Sequence, residues 1–272
     1  MIRALTATAG GLRPSQLSTA HVLEALHRCA SPPLALTTRF NRHNAARRIL
    51  RWLWEEHGAP KLDSHVPKLL TPRPRNVIAN RDTIETILDA ATLELRLFLL
   101  LCSDLAIRSG TAAKISPRQY DKATGFLRFT TKKDAHLGLP VTAEIADILN
   151  TCDLQSTVPF VTQLRQRIRP NRANQQAGYI LNATQLRHQF RRLRERLNLP
   201  KRIIPHDLRR TTAVALYKQT HDLRQVQALL GHRSLQSTIW YLDHDLEDVD
   251  LATLEAIKKP TPAIVWRKEQ TA

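Results

Sequence analysis

The chain has 272 residues, enough for one large or two modest domains with a real core, and 42% of them are hydrophobic, as in an ordinary globular protein. Its 41 Lys and Arg against 24 Asp and Glu leave a formal charge of +17, which points to a polyanionic partner, nucleic acid first and an anionic membrane surface second. Three widely spaced cysteines (Cys29, Cys102, Cys152) make neither a disulfide framework nor a zinc pattern and fit a reduced, cytoplasmic setting.

Residues 1–18 carry Gly10, Gly11 and Pro14 without clear periodicity and read as a loose arm, with no continuous apolar stretch of the secretory kind. Residues 19–68 read as a helical domain built from "STAHVLEALHRCA" and "LTTRFNRHNAARRILRWLWEEHG". In the second helix Ala46, Ile49, Leu50 and Leu53 recur at three- to four-residue spacing and mark the buried face. Arg39, Arg42, Arg47, Arg48 and Arg51 occupy the rest, either to grip a phosphate backbone or simply as a solvated face, and Gly58 stops the helix. "LLTPRPRNV", with Pro72 and Pro74, reads as the start of an extended linker over 69–79.

A second, mixed domain follows over residues 80–258. "NRDTIETILDAA" is an N-capped amphipathic helix, and "TLELRLFLLLCSDLAIR" is a core helix with Arg108 at its end. Its apolar run "LFLLLC" falls far short of the roughly 20 residues of a membrane span. The period then changes: "KISPRQYD", "GFLRFTT" and "GLPVT", joined by turn residues, predict a small antiparallel sheet. Helices resume at "TAEIADILNTC" and "ATQLRHQFRRLRERLNL", whose arginines include Arg187 and Arg191, read as part of a strip facing a DNA backbone. The fold class is therefore mainly α with one small antiparallel β-sheet.

In the last third, "HDLRRTTAVALYKQ" reads as a helix, and "DLRQVQALLGH" as another with Asp222 as its cap and Gly231 at its stop. "SLQSTIWYL" starts a third, so His232 sits on a tight interhelical turn and Tyr241 about two turns further on. A helix-turn-helix reader of DNA would look similar, and is the non-enzymatic competitor.

"HDLRR", "LLGH" and the tyrosine after them resemble the tyrosine recombinase, or phage integrase, family of site-specific DNA recombinases. The family's His-x-x-Arg is matched by His206 and Arg209, its second histidine by His232 and its nucleophilic tyrosine by Tyr241, with His232 26 residues after His206 and Tyr241 nine after His232. "LLCSDLAIRSGTAAKIS" resembles the first-arginine segment, which places Arg108. "FTTKKDAHLGLPVT" resembles the hairpin with the catalytic lysine, matched by Lys132 with Lys133 in reserve. Residues 19–68 are similar to the family's core-binding domain. Two positions depart from the pattern: Thr111 stands where the family usually has an acid three after the first arginine, and Ala106 stands where a Gly is common two before it.

The resemblance implies a strand transfer through a 3′-phosphotyrosine. Arg108 and Arg209 would clamp the phosphate oxygens with planar donor forks. His206 would take the proton of Tyr241, a phenol that is otherwise a poor nucleophile at neutral pH, and His232 would bond a phosphate oxygen. Lys132 would protonate the leaving 5′ oxygen. No Asp/Glu cluster with metal spacing and no phosphate-binding Gly loop accompanies these residues, so the reading includes no metal and no cofactor. Its partners are double-stranded DNA and a homo-tetramer on paired sites, with the 259–272 tail, "KPTPAIVWRKEQTA", exchanged between subunits. A type IB topoisomerase-like enzyme and a non-catalytic DNA-binding regulator are the alternatives.

Overall fold

The structure is a computed structural model in which residues 2–72, 77–130, 136–170 and 178–242 are described. The chain divides into two compact units, residues 1–74 and 75–272.

The first unit is helical. Its opening corrects the expectation of a loose arm: α1 (Ile2–Ala9) buries Leu5 and packs on α2 (Thr19–Ala30). Gly10 and Gly11 directly follow α1, and Pro14 opens a separate short turn, so none of them interrupts the helix. The third helix, α3 (Leu36–His57), stops at Gly58, which takes the left-handed conformation (φ 63°) that a side chain would strain. Val22, Leu26, Ala30, Ala46, Leu50, Leu62 and Val66 make the core.

Most of the arginine row on α3 is engaged inside this unit. Arg39 and Arg42 donate to the α2 carbonyls of Ala30 (3.0 Å) and Cys29, where a helix C-terminus favours a cation. Arg47 donates to the carbonyls of Val66 and Pro67 at 3.1 and 2.7 Å, and Arg51 pairs with Asp63 at 3.1 Å. Arg48 is exposed.

The second unit is built around α5 (Leu93–Ser103), whose Leu95 and Leu97–Cys102 are buried. Asn80 caps α4 (Arg81–Asp89) by accepting from the Asp82 amide at 2.9 Å. The core helix ends at Ser103, short of the expected segment that ran on to Arg108. Ala106 turns the backbone left-handed (φ 48°), and the Ile107 amide donates back to the Leu101 carbonyl at 2.9 Å. Arg108 therefore lies not at the end of α5 but at the N-cap of a short helix, α6 (Ser109–Ala112).

The sheet is antiparallel in the order β1-β2-β3, with β1 (Tyr120–Asp121), β2 (Phe126–Thr130) and β3 (His136–Pro140). In the β2–β3 register Leu127 faces Leu139 and Phe129 faces Leu137. Leu127, Phe129 and Leu139 are buried, while the alternate residue Arg128 stays outside. Helices α7 (Ala143–Asn150), α8 (Phe160–Ile168) and α9 (Ala183–Arg196) follow. α5 packs against both α7 and α8, and a buried carboxylate, Glu94 on α5, meets Arg165 of α8 at 2.9 Å. The last three helices among the described residues are α10 (Pro205–Thr220), α11 (Leu223–Leu230) and α12 (Leu235–Leu242). Among the described residues no helix is long and apolar enough to cross a membrane.

Candidate active site

Four chain segments meet at one polar cluster. His206, Arg209 and Arg210 lie on the first turns of α10, at spacings of three and four residues that put them on one face. Pro205 at the first helical position suits the start of that helix, and Asp207 locks it by accepting from the Ile204 amide at 2.8 Å. Arg108 enters from the start of α6, His232 from the turn after α11, and Tyr241 from α12.

The turn carrying His232 is closed by two backbone bonds at 3.1 Å, from the Gly231 amide to the Ala228 carbonyl and from the His232 amide to the Gln227 carbonyl. Gly231 is left-handed (φ 58°). This ending leaves the Leu230 carbonyl outside the helix's own bonding. Both candidate phosphate-clamp arginines use it: Arg209 donates through Nη2 at 2.8 Å and Arg108 through Nη1 at 3.5 Å. Arg209 also donates to the Ala106 carbonyl. Its side chain is buried, and burial holds its pKa down at about 10 against the pull of Tyr241. Main-chain carbonyls thus orient the two guanidinium groups at a site where Thr111 replaces the usual acid.

The Tyr241 ring is enclosed by cationic and imidazole groups. His206 and His232 meet it edge to face, with ring centroids at 5.4 and 5.7 Å. The Arg210 guanidinium lies 5.8 Å from the ring centroid. The phenol Oη is 3.5 Å from the His206 main-chain carbonyl. Burial pushes the phenol up to about 12, opposed by Arg209, Arg210 and Arg108. Burial pushes the His206 imidazole down, with Arg209 acting in the same direction, so it is neutral at pH 7 and able to accept a proton. His232 Nδ1 bonds the buried Thr238 hydroxyl at 3.1 Å, which leaves its Nε2 as the nitrogen not held by that bond.

Of the residues expected in the site, Arg108, His206, Arg209, His232 and Tyr241 are brought together. Lys132 and Lys133 lie outside the described residues, between the ends of β2 and β3. Arg187 and Arg191 are exposed on α9 and line a groove with His188, Ser109, Pro205 and His206, beside the cluster. Arg210 was not singled out from the sequence. Its signal was its place four residues after His206 on a helix, which brings it to the same face as that histidine.

The described residues form a mostly helical unit with one small antiparallel sheet, the architecture of a tyrosine recombinase catalytic domain. The profile of the Phage integrase family matches residues 78–247, well over half of the chain, and the chain belongs to that family. A tyrosine recombinase XerC from Agrobacterium fabrum (strain C58) is 28% identical over 193 residues, 69% of this chain and 58% of that protein, so the chain spans somewhat over half of that relative. A λ integrase (75–356) dimer bound to a COC′ core site superposes with a TM-score of 0.68 at 16% identity, covering 92% of this chain and 88% of the other. XerH site-specific recombinase bound to its difH substrate, in a pre-cleavage complex, gives 0.63 at 19% identity, with coverage of 90% and 71%. At these identities the structures establish the fold.

Proposed function

We propose that the protein is a site-specific DNA recombinase that breaks and rejoins strands through a 3′-phosphotyrosine intermediate. The observation that carries the reading is the enclosure of Tyr241 by His206, His232 and Arg210, beside two arginines anchored on one carbonyl.

The chemistry assigns each group a task. Tyr241 Oη attacks the phosphorus and forms the P–O(Tyr) bond as the P–O5′ bond breaks, and the phenolic proton passes to neutral His206. Apo contacts of catalytic groups commonly tighten only when substrate is bound, so the 5.4 Å ring separation is compatible with this transfer. Arg108 and Arg209 neutralise the phosphate oxygens, the largest demand of phosphoryl transfer. His232 donates to a phosphate oxygen, and Lys132 delivers the proton that the departing 5′ oxygen needs. The phosphotyrosine keeps the phosphodiester's energy, so a 5′ hydroxyl of another strand reverses the step with no outside energy source.

DNA enters along the Arg187–Arg191 groove, while the α3 row contributes first through Arg48, since its neighbours already bind within their own unit. The same reading supplies the remaining partners: paired duplex sites, a homo-tetramer exchanging residues 259–272, and a cytoplasmic location where DNA is accessible. The similarity to XerC recombinases and to recombinases solved on DNA supports it.

Incubation with plasmids carrying one or two copies of a selected binding site tests this. Recombinant products that require two sites are expected. Relaxation of supercoils with one site and no recombinants would favour the topoisomerase-like alternative.

A further inference from the structure

We propose that Arg210 is a third arginine of the site and a positioning residue for the nucleophile: it acts on the face of the Tyr241 ring, while Arg108 and Arg209 are held beside it by main-chain carbonyls. This rests on the reading of Tyr241 as the nucleophile.

Three observations carry it. Arg210 is 3% exposed, so its guanidinium does not float in solvent, and its charge acts across a medium of low polarity. It lies over the face of the tyrosine ring at 5.8 Å, a geometry in which a cation is attracted by the ring and more strongly by the electron-rich phenolate. And the same ring meets the His206 and His232 imidazoles at near-perpendicular angles, so the three groups together restrict where Oη points. Arg209 donates to the Ala106 and Leu230 carbonyls and also interacts with the phenol, so Arg210 is distinguished by its place over the ring face.

Among the described residues, the charged and titratable groups around the phenol are His206, Arg209 and Arg210 on α10, His232 on the turn after α11, and Arg108 ahead of α6. Burial raises the phenol's pKa, and Arg209, Arg210 and Arg108 oppose it. Removing the one on the ring face should raise the cost of forming the phenolate. An arginine that served only to fill space would be replaced by methionine without that consequence.

The test compares wild type with Arg210→Met and Arg210→Lys. The first readout is the rate of covalent adduct formation on a nicked duplex over pH 6–10. The second is a 19F NMR titration of protein labelled with 3-fluorotyrosine, with Tyr241→Phe used to assign the signal. Arg210→Met is expected to form adduct about tenfold or more slowly at neutral pH, with its profile and the Tyr241 signal displaced about one unit or more to higher pH. Arg210→Lys, which keeps the charge, is expected to recover most of both. A folded Arg210→Met protein with an unmoved Tyr241 signal would overturn the proposal, as would a Lys variant displaced as far as the Met variant. If wild type forms no adduct, the recombinase reading fails, while the NMR titration still decides whether Arg210 acts on the ring.

Discussion

Gly231 and Leu137 pack so closely that a Cβ on the glycine would stand 2.7 Å from Leu137 Cδ1. The glycine ends α11, and the leucine belongs to β3 of the hairpin that carries Lys132. The turn that presents His232 and the Leu230 carbonyl thus rests on β3, the strand that follows the candidate proton donor in the sequence.

Gly231→Ala should therefore cost both stability and activity. The left-handed backbone alone accounts for about 1–2 kcal/mol, and crowding against Leu137 adds to it. Shifting the Leu230 carbonyl would disturb both arginines, so adduct formation should drop more than tenfold. Adding Leu137→Ala should relieve the crowding and leave the backbone cost. Full recovery in the double variant would show that the glycine's conformation is unimportant.

Ala106 and Ala213 are both fully buried, yet their replacement by glycine should differ. At Ala213, inside α10, the change removes a buried methyl and loosens the helix, together about 1.5–2 kcal/mol. At Ala106 those losses are offset by relief of a left-handed alanine, on the order of 1–2 kcal/mol. Ala106→Gly should melt within a few degrees of wild type and Ala213→Gly clearly lower. Equal losses would contradict the strained geometry of the Arg108 loop.

The fold and the site were legible to different degrees, for physical reasons. The resemblance to tyrosine recombinases singled out Arg108, His206, Arg209, His232 and Tyr241, which the structure brings together, because phosphoryl transfer restricts those residue types. It missed Arg210, whose meaning depends on the packing of α12 across α10. The end of α5 was missed because the segment after it, up to Arg108, has no glycine or proline, and the break comes from the left-handed backbone at Ala106. The arginine row of α3 looked like a surface for DNA, but charge alone does not distinguish a phosphate contact from Arg39 and Arg42 closing the end of α2.

The depressed pKa of His206 makes a signed prediction. A histidine held below its ordinary 6.5 favours the neutral form in the folded state. Its contribution to stability is present above pH 6.5 and is lost as the pH falls through the folded value. The rate of adduct formation should decline in the same acid range as the base is protonated. Urea midpoints at pH 7.5 and 5 should differ more for wild type than for His206→Gln; an equal acid loss would place the titrating group elsewhere.

Tyr241 predicts the opposite limb. Its phenol is raised from 10 to about 12, so its contribution is complete below pH 10 and is lost as the pH climbs toward 12. Wild type should lose stability relative to Tyr241→Phe over that range, while buried Cys102, also raised to about 12, is common to both and cancels. Parallel denaturation curves for the two proteins at pH 8 and 11 would contradict it.

The Glu94–Arg165 pair offers a check on the core. Arg165→Met leaves a fully buried carboxylate without its cation and should cost about 3–5 kcal/mol. Combining it with Glu94→Leu should recover most of that loss, read from thermal melts. A double variant as unstable as the single one would mean that the pair itself, and not the stranded charge, holds α5 to α8.

The most direct measurement of the central claim is the identity of the residue that becomes linked to DNA. A duplex enriched from a random pool by Tyr241→Phe protein, nicked near its centre to trap the intermediate, is incubated with wild type, and the digested adduct is mapped by mass spectrometry. A nucleotide attached to the peptide holding Tyr241, absent from Tyr241→Phe, is the predicted result. Specific binding with no adduct, or an adduct on another residue, would contradict the account.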